Sequence, residues 1–407
     1  MKKALLFLPL LFVLTQCQNT QNQEIDGIWR AEVPTANGPI PFNLEIETTD
    51  AGIQVYAIND KEKLELDKAY FENDSLHITM EVFDAEIIAK VNSGEMHGVY
   101  TKKLGDLSDR TGKFHAKLGQ EFRFVPKAAK AKHDISGKWR TTFIEPEGII
   151  YEAVGVFNQL GNSVNGTFLT PLGDYRFLDG NVVGDSLMLS CFDGTHIYLF
   201  KAKIKGDSLV GGGFTSSLLY QETWDAVKDK NAALPDADGL TFLNEGYNDF
   251  SFSFSNTKGE IVSLSDHQYK DKIVLVQLLG SWCPNCMDES KFYSKWLSDN
   301  PDANVKIIGL AFEKSLDPSF AFPKIERMRN RFGMPYEVLL AGLYDKVEAQ
   351  KSLPMLNQVL SFPTTVFLDK KHNVRKIHTG FSGPGTGEYH EKYVEDFNRF
   401  ITMLSNE

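Results

Sequence analysis

Two cysteines, Cys283 and Cys286 in Trp282-Cys283-Pro284-Asn285-Cys286, carry the strongest chemical signal in the chain. Residues 273–279 before them form a near-continuous apolar run, the pattern of a strand buried on both faces. Residues 284–298 after them read as a helix that ends before Pro301. A Cys-x-x-Cys at such a strand-to-helix junction sets its first thiol over the unpaired amides of the helix start, whose partial positive charge favours thiolate. Cys283 is therefore the candidate nucleophile, and Cys286, about one turn further on, can reach back to resolve a mixed disulfide. Pro284 suits the first helical turn, where its missing N–H would have had no partner. A structural zinc site needs a second Cys or Cys/His pair, which the sequence lacks, and covalent haem attachment needs histidine where Met287 stands. Redox exchange uses both thiols; a structural disulfide also fits the spacing.

Thiol exchange moves protons as well as electrons. Cys286, Glu289, Tyr293 and Trp296 stand at i, i+3, i+7 and i+10, one inward-facing stripe of the helix. A carboxyl on that stripe, one turn from the resolving thiol, is partly desolvated and can hold a proton near neutral pH. Glu289 is thus the candidate acid–base group, against the plainer reading of a glutamate paired with a surface lysine.

The run from Val274 to Cys286 is similar to the active-site strand and turn of the thioredoxin superfamily. Ser361-Phe362-Pro363-Thr364-Thr365-Val366-Phe367-Leu368-Asp369 resembles its second signature, a proline that is cis in the family, followed by a hairpin strand. Residues 259–264 and the long interval between Cys286 and Pro363 resemble the TlpA/ResA-like branch, which carries an extra strand and helix in mid-fold. The resemblance implies an α/β thioredoxin-like domain acting as a thiol-disulfide oxidoreductase of the protein-disulfide reductase type. It implies Cys283 and Cys286 as the redox pair. Pro363 would face them, keeping metals off the thiolates and offering backbone groups to an incoming chain. The branch has a functional glutamate at the spacing of Glu289. Trp282, Phe362 and Thr364, which flank these residues, are the expected substrate contacts. No metal or organic cofactor is implied beyond the Cys283–Cys286 disulfide, and the expected electron donor is a membrane thiol-reducing system. Gln277 stands where thioredoxin has a buried aspartate, and an amide cannot exchange protons at neutral pH, which leaves that task to Glu289. A peroxiredoxin-like peroxidase is the lesser alternative, because that chemistry wants Thr-x-x-Cys where Gly280-Ser281-Trp282 leads into Cys283.

Around the motif the C-terminal pattern alternates strand and helix. Residues 250–255 and 261–265 read as a hairpin, 305–311 as a second buried strand, 320–332 as a helix, 337–340 as a strand and 346–353 as a helix. Residues 365–368 and 374–379 read as another hairpin, and 388–404 as a closing amphipathic helix, an α/β order with a mixed sheet.

Upstream the chain repeats itself. Asp26-Gly27-Ile28-Trp29-Arg30 returns as Ser136-Gly137-Lys138-Trp139-Arg140, and Asn73-Asp74-Ser75-Leu76 as Gly184-Asp185-Ser186-Leu187, offsets of 110 and 111 residues. Short Val/Ile/Phe/Tyr/Leu runs at 42–46, 52–58, 75–82, 87–91, 151–157, 187–192 and 197–204 alternate with Gly, Asn and Asp turns. The expectation is a multidomain chain. Two all-β antiparallel modules, barrel or sandwich, at 25–126 and 134–228 are followed by a linker at 229–240 and the thioredoxin-like domain at 241–407. Cys191 shares a strand face with Leu187 and Leu189 and reads as a buried free thiol. The nine histidines show no spacing that makes a ligand pair, so no metal site is expected.

Met1-Lys2-Lys3 and the apolar run 4–14 are too short to span a bilayer and read as a signal peptide. Leu14-Thr15-Gln16-Cys17 resembles a bacterial lipoprotein processing box. The expectation is a signal peptide and lipobox at 1–17, lipid attachment at Cys17, a polar tether at 18–24, and a periplasm-facing lipoprotein of the outer membrane. An exported protein disulfide is the expected substrate. With 54 acidic against 43 basic residues and a formal charge of −11, the chain lacks the cationic surface that a nucleic-acid partner demands. A non-enzymatic alternative is a binding or assembly lipoprotein whose redox domain acts only on a docked partner.

Overall fold

The protein is described by a computed structural model for residues 25–104, 107–126, 130–247 and 249–407. The expected signal peptide, Cys17 and the tether lie outside the described residues.

The first barrel comprises β1 Gly27–Thr35, β2 Gly38–Thr49, β3 Gly52–Asn59, β4 Glu62–Glu65, β5 Lys68–Glu72, β6 Ser75–Met80, β7 Ala85–Asn92, β8 Glu95–Leu104 and β9 Leu107–Leu118. Its strands run in the order β2-β1-β9-β8-β7-β6-β5-β3, and pairing of β3 with β2 closes an eight-stranded ring on which β4 hangs. Closure rests on β2, whose 12 residues are long enough to bend and serve two neighbours. Leu44 lies opposite Trp29 on one side and Ala57 on the other. Alternation does the rest, since Leu76, Ile78 and Met80 of β6 and Ile87, Ala89 and Val91 of β7 all turn inward.

The second barrel repeats the plan with β10 Gly137–Ile144, β11 Ile150–Leu160, β12 Ser163–Thr170, β13 Gly173–Asp174, β14 Leu178–Val183, β15 Ser186–Phe192, β16 Ile197–Lys205, β17 Ser208–Ser216 and β18 Tyr220–Lys228. Here β11 is the strand that pairs on both sides, and β13 is the appended one. The duplication extends to a side-chain detail. Trp29 Nε1 donates to the carbonyl of Ile25 at 2.7 Å, and Trp139 Nε1 to that of Ile135 at 2.8 Å. The second interior is filled by Phe143, Phe168, Phe200, Phe214 and Trp224, with Leu187, Leu189 and Cys191 buried on one strand face. Cys191 is a free thiol, and burial pushes its pKa up.

The C-terminal domain contains β19 Ser253–Ser255, β20 Ile261–Ser263, β21 Ile273–Leu279, α1 Pro284–Asp299, β22 Val305–Glu313, α2 Pro318–Arg331, β23 Val338–Leu343, α3 Lys346–Ser352, β24 Thr364–Leu368, β25 Val374–Thr379 and α4 Glu388–Asn406. Its sheet order is β20-β19-β23-β22-β21-β24-β25. β21, β22 and β23 are parallel neighbours, and β24 and β25 add antiparallel to the other edge of β21. β21 is thus the centre of a mixed sheet, and all seven of its residues are buried.

The three bodies interlock. Asn59 of the first barrel exchanges hydrogen bonds with the main chain of Phe192 in the second, at 2.8 and 3.2 Å. On α2, Arg331 pairs with Asp67 at 2.6 Å and Lys324 with Asp84, which fixes the thiol domain to the first barrel. Arg176 of the second barrel is enclosed among Glu62 of the first barrel, Asp193 of its own and Asp288 of α1.

Candidate active site

β21 delivers the chain to a turn held against the end of β22. Ser281 donates through its amide and hydroxyl to Glu313 at 2.8 and 2.7 Å, and Trp282 Nε1 donates to the carbonyl of Phe312 at 2.9 Å. Burial raises the pKa of Glu313, which still accepts both bonds. Cys283 is the N-cap of α1, and its Sγ accepts the amide of Cys286 at 3.2 Å. The two are joined as a disulfide with Cα atoms 5.3 Å apart. Pro284 follows at the first helical position, as its fixed φ favours. Across the groove the Phe362–Pro363 bond is cis, and the carbonyl oxygen of Phe362 lies 3.4 Å from Cys283 Sγ. Cys283 is 5% exposed and Cys286 wholly buried.

Behind the disulfide, Glu289 is completely enclosed. Its carboxylate accepts from Gln277 Nε2 at 2.8 Å, from Tyr293 Oη at 3.1 Å and from Thr365 Oγ1 at 3.0 Å. Burial pushes its pKa up to about 7 against these three donors. The amide of Gln277 is oriented by Tyr336 Oη, which donates to its oxygen at 3.0 Å and so turns the N–H toward the carboxylate. Tyr293 Oη also lies 3.2 Å from Tyr393 Oη on α4. A residue unable to exchange protons thus positions one that can.

Cys283, Cys286, Glu289, Pro363, Phe362 and Trp282 come together. The Trp282 ring meets those of Phe362 and Tyr344 edge to face at 5.8 and 5.9 Å, forming an aromatic wall. Thr364 does not join them as an accessible contact. It is fully buried, and its hydroxyl donates to the carbonyl of Ser361 at 2.8 Å, so its side chain braces the proline loop. The second barrel also contributes, since its Leu172 and Asp174 border the same groove with no local motif to mark them.

Sequence reading missed a histidine grouping. Glu95, His97 and His115 on the outer face of β8 and β9 have ligand atoms within 4.8 Å of one another, a spacing set by cross-strand register. The ammonium of Lys117, 3.3 Å from Glu95, already partners that carboxylate.

Residues 246–377 match the AhpC/TSA family. Thioredoxin-like protein YneN of Bacillus subtilis is 28% identical over 138 residues, 34% of this chain and 73% of that protein. Thiol-disulfide oxidoreductase ResA of Halalkalibacterium halodurans is 22% identical over 151 residues, 37% of this chain and 73% of its own. Among solved structures, a thiol-disulfide oxidoreductase from Bacteroides fragilis is 18% identical, covering 36% of this chain and 98% of its own with a TM-score of 0.28. The C-terminal domain is thus similar to thiol-disulfide oxidoreductases and thioredoxin-like proteins. Its likeness to ResA agrees with the resemblance to the TlpA/ResA-like branch.

Proposed function

We propose that the protein is an exported thiol-disulfide reductase acting through Cys283 and Cys286. In the reduced form Cys283 thiolate attacks a disulfide of an exported protein. One substrate sulfur leaves as thiolate and takes up a proton, and the other stays bonded to Cys283 in a mixed disulfide beside Pro363. Cys286 thiol then passes its proton to the Glu289 carboxylate and attacks Cys283 Sγ, releasing the second substrate thiolate. Two electrons pass from the dithiol to the substrate, and the Cys283–Cys286 disulfide remains, to be reduced by a membrane thiol-reducing system. Trp282 and Phe362 form the wall against which the substrate lies, and Cys17 carries the lipid that holds the chain at the envelope membrane. The reaction calls on no metal or organic cofactor.

The observation that carries this reading is one arrangement. A disulfide at a helix N-cap faces a cis-proline loop, with a buried carboxyl one turn behind. Trapping tests it. Cys286→Ser in cells of a disulfide-forming compartment should accumulate mixed disulfides that dithiothreitol releases, and Cys283→Ser should accumulate none. Absence of adducts in the first variant would sink the proposal. A single dominant adduct would mark a dedicated partner docked on the barrels, and many adducts a general reductase.

A further inference from the structure

Three loops ring Cys283: the turn into α1, Ser361–Pro363, and the segment 380–383 after β25. The hairpin of β12 and β13 in the second barrel touches all three. Ser361 Oγ donates to the carbonyl of Leu172 at 2.6 Å, and Asn285 Nδ2, from between the two cysteines, donates to the carbonyl of Asp174 at 3.3 Å. The amide of Gly383 donates to Asp174 Oδ2 at 2.8 Å, and a Cβ built on Gly380 would stand 3.3 Å from the carbonyl oxygen of Pro171. The fit leaves no room at the hairpin itself. Gly173 has φ +140°, and a Cβ there would stand 2.1 Å from Asn285 Nδ2.

We propose that this hairpin is a specificity element that occupies the Gly380 side of the thiol groove. A polypeptide disulfide engages Cys283 only after the hairpin lifts, whereas a small disulfide reaches it directly. This inference rests on the reductase reading. An extended peptide beside Phe362–Pro363 needs main-chain partners there and space over Gly380. The carbonyls of Leu172 and Asp174 already engage Ser361 and Asn285, and Pro171 fills the space. Cys283, at 5% exposure, can meet a slender reagent but has no room for a flanking main chain. Leu172 at the hairpin tip is 41% exposed, and among the described residues the bonds that hold the hairpin to the thiol domain are three, so it can be displaced from outside without opening the barrel.

The test compares rates of the full chain toward hydroxyethyl disulfide and toward insulin. Gly173→Val wedges the hairpin off Asn285, and Asp174→Ala removes its anchor to Gly383. Each variant should raise the insulin rate about tenfold and leave the hydroxyethyl disulfide rate unchanged, as expected where the open state is about one-tenth populated in the parent. An unchanged ratio of the two rates would overturn the inference. A second measurement needs no hairpin variant. Cys286→Ser carrying a cysteine peptide as mixed disulfide should show faster amide exchange at residues 172–174 than the same protein capped with mercaptoethanol. Equal protection in the two adducts would also overturn it. Turnover of neither disulfide by the unaltered chain would instead defeat the reductase reading, which the exchange measurement does not require.

Discussion

Arg176→Met should destabilise the folded chain by about 3–5 kcal/mol, the loss typical of removing one partner from a buried ion cluster. The guanidinium is 4% exposed, with Nη2 2.6 Å from Glu62, Nη1 bonded to Asp288 and Nε 3.6 Å from Asp193. Burial opposes its charge, but Asp288, Glu62 and Asp193 outweigh burial and raise its pKa. Methionine keeps the apolar stem and deletes only the charge, which leaves the carboxylates desolvated and facing one another. Because these groups come from three different bodies, the loss should also uncouple them. Trp29, Trp139 and Trp224 report on the barrels, and Trp282 and Trp296 on the thiol domain. Urea unfolding followed by fluorescence of single-tryptophan versions should show one shared transition in the parent and separated transitions in the variant. The sign with pH is set by Asp193. Burial works against its charge, yet His196 and Arg176 hold its pKa well below the ordinary carboxylate range. Its ionised form therefore contributes stability above about pH 4, which is lost as pH falls toward the lowered folded value. Without Arg176 that contribution shrinks, so the gap between parent and variant should narrow on acidification. A loss below about 1 kcal/mol at neutral pH, the range of an exposed ion pair, would show that the cluster is not acting as a buried one.

Local chemistry made much of the thiol domain legible. The apolar run of β21 and the Cys-Pro-Asn-Cys turn mark strand, helix and cysteine pair together, because burial on both faces and a helix start each leave a dense local signature. The stripe from Cys286 to Trp296 pointed inward as its period required, and Glu289 on it is fully enclosed. Strands such as β8 and β17 escaped. One is polar on its outer face and the other glycine-rich, and a barrel strand needs apolar residues on one face only. Closure of each ring was equally hidden, since it depends on β2 and β11 pairing on two sides, a property of length and bend. The least legible residues were those that act across bodies. Arg176, Asp174 and Leu172 have no periodicity that separates them from ordinary turn residues, and they gain meaning from groups 112 and 189 positions away. Gln277 is recognisable from its type alone as an amide that cannot exchange protons, but its place as a donor to Glu289 is visible only in the fold.

Glu289→Gln should slow the resolving step about a hundredfold near neutral pH, the middle of the range for positioned acid–base catalysis. Stopped-flow release of product from a preformed mixed disulfide measures that step alone. In the parent the rate should rise with pH around 7, where the carboxyl loses its proton and becomes able to accept one from Cys286. In the variant that rise should vanish, leaving only the titration of the thiol itself. A structural role would slow the step without altering its pH dependence, so the shape of the profile separates the two. Stability gives an independent reading of the same proton. Burial raises the folded pKa of Glu289 from 4.5 to about 7, so between those values the native protein holds a proton that the unfolded chain has released. The contribution is fully present below pH 4.5 and is lost as pH rises through about 7, on the order of 3 kcal/mol across the window. The amide does not ionise, and its oxygen can still accept from Gln277 while the hydroxyls of Thr365 and Tyr293 rotate to accept from its N–H. Stability of the variant should therefore change less steeply than that of the parent between pH 4.5 and 7, and the two should draw together as the parent loses its advantage. Parallel stability curves combined with an unaltered pH–rate profile would remove Glu289 from the chemistry and return the proton transfer to solvent at the exposed edge of Cys283.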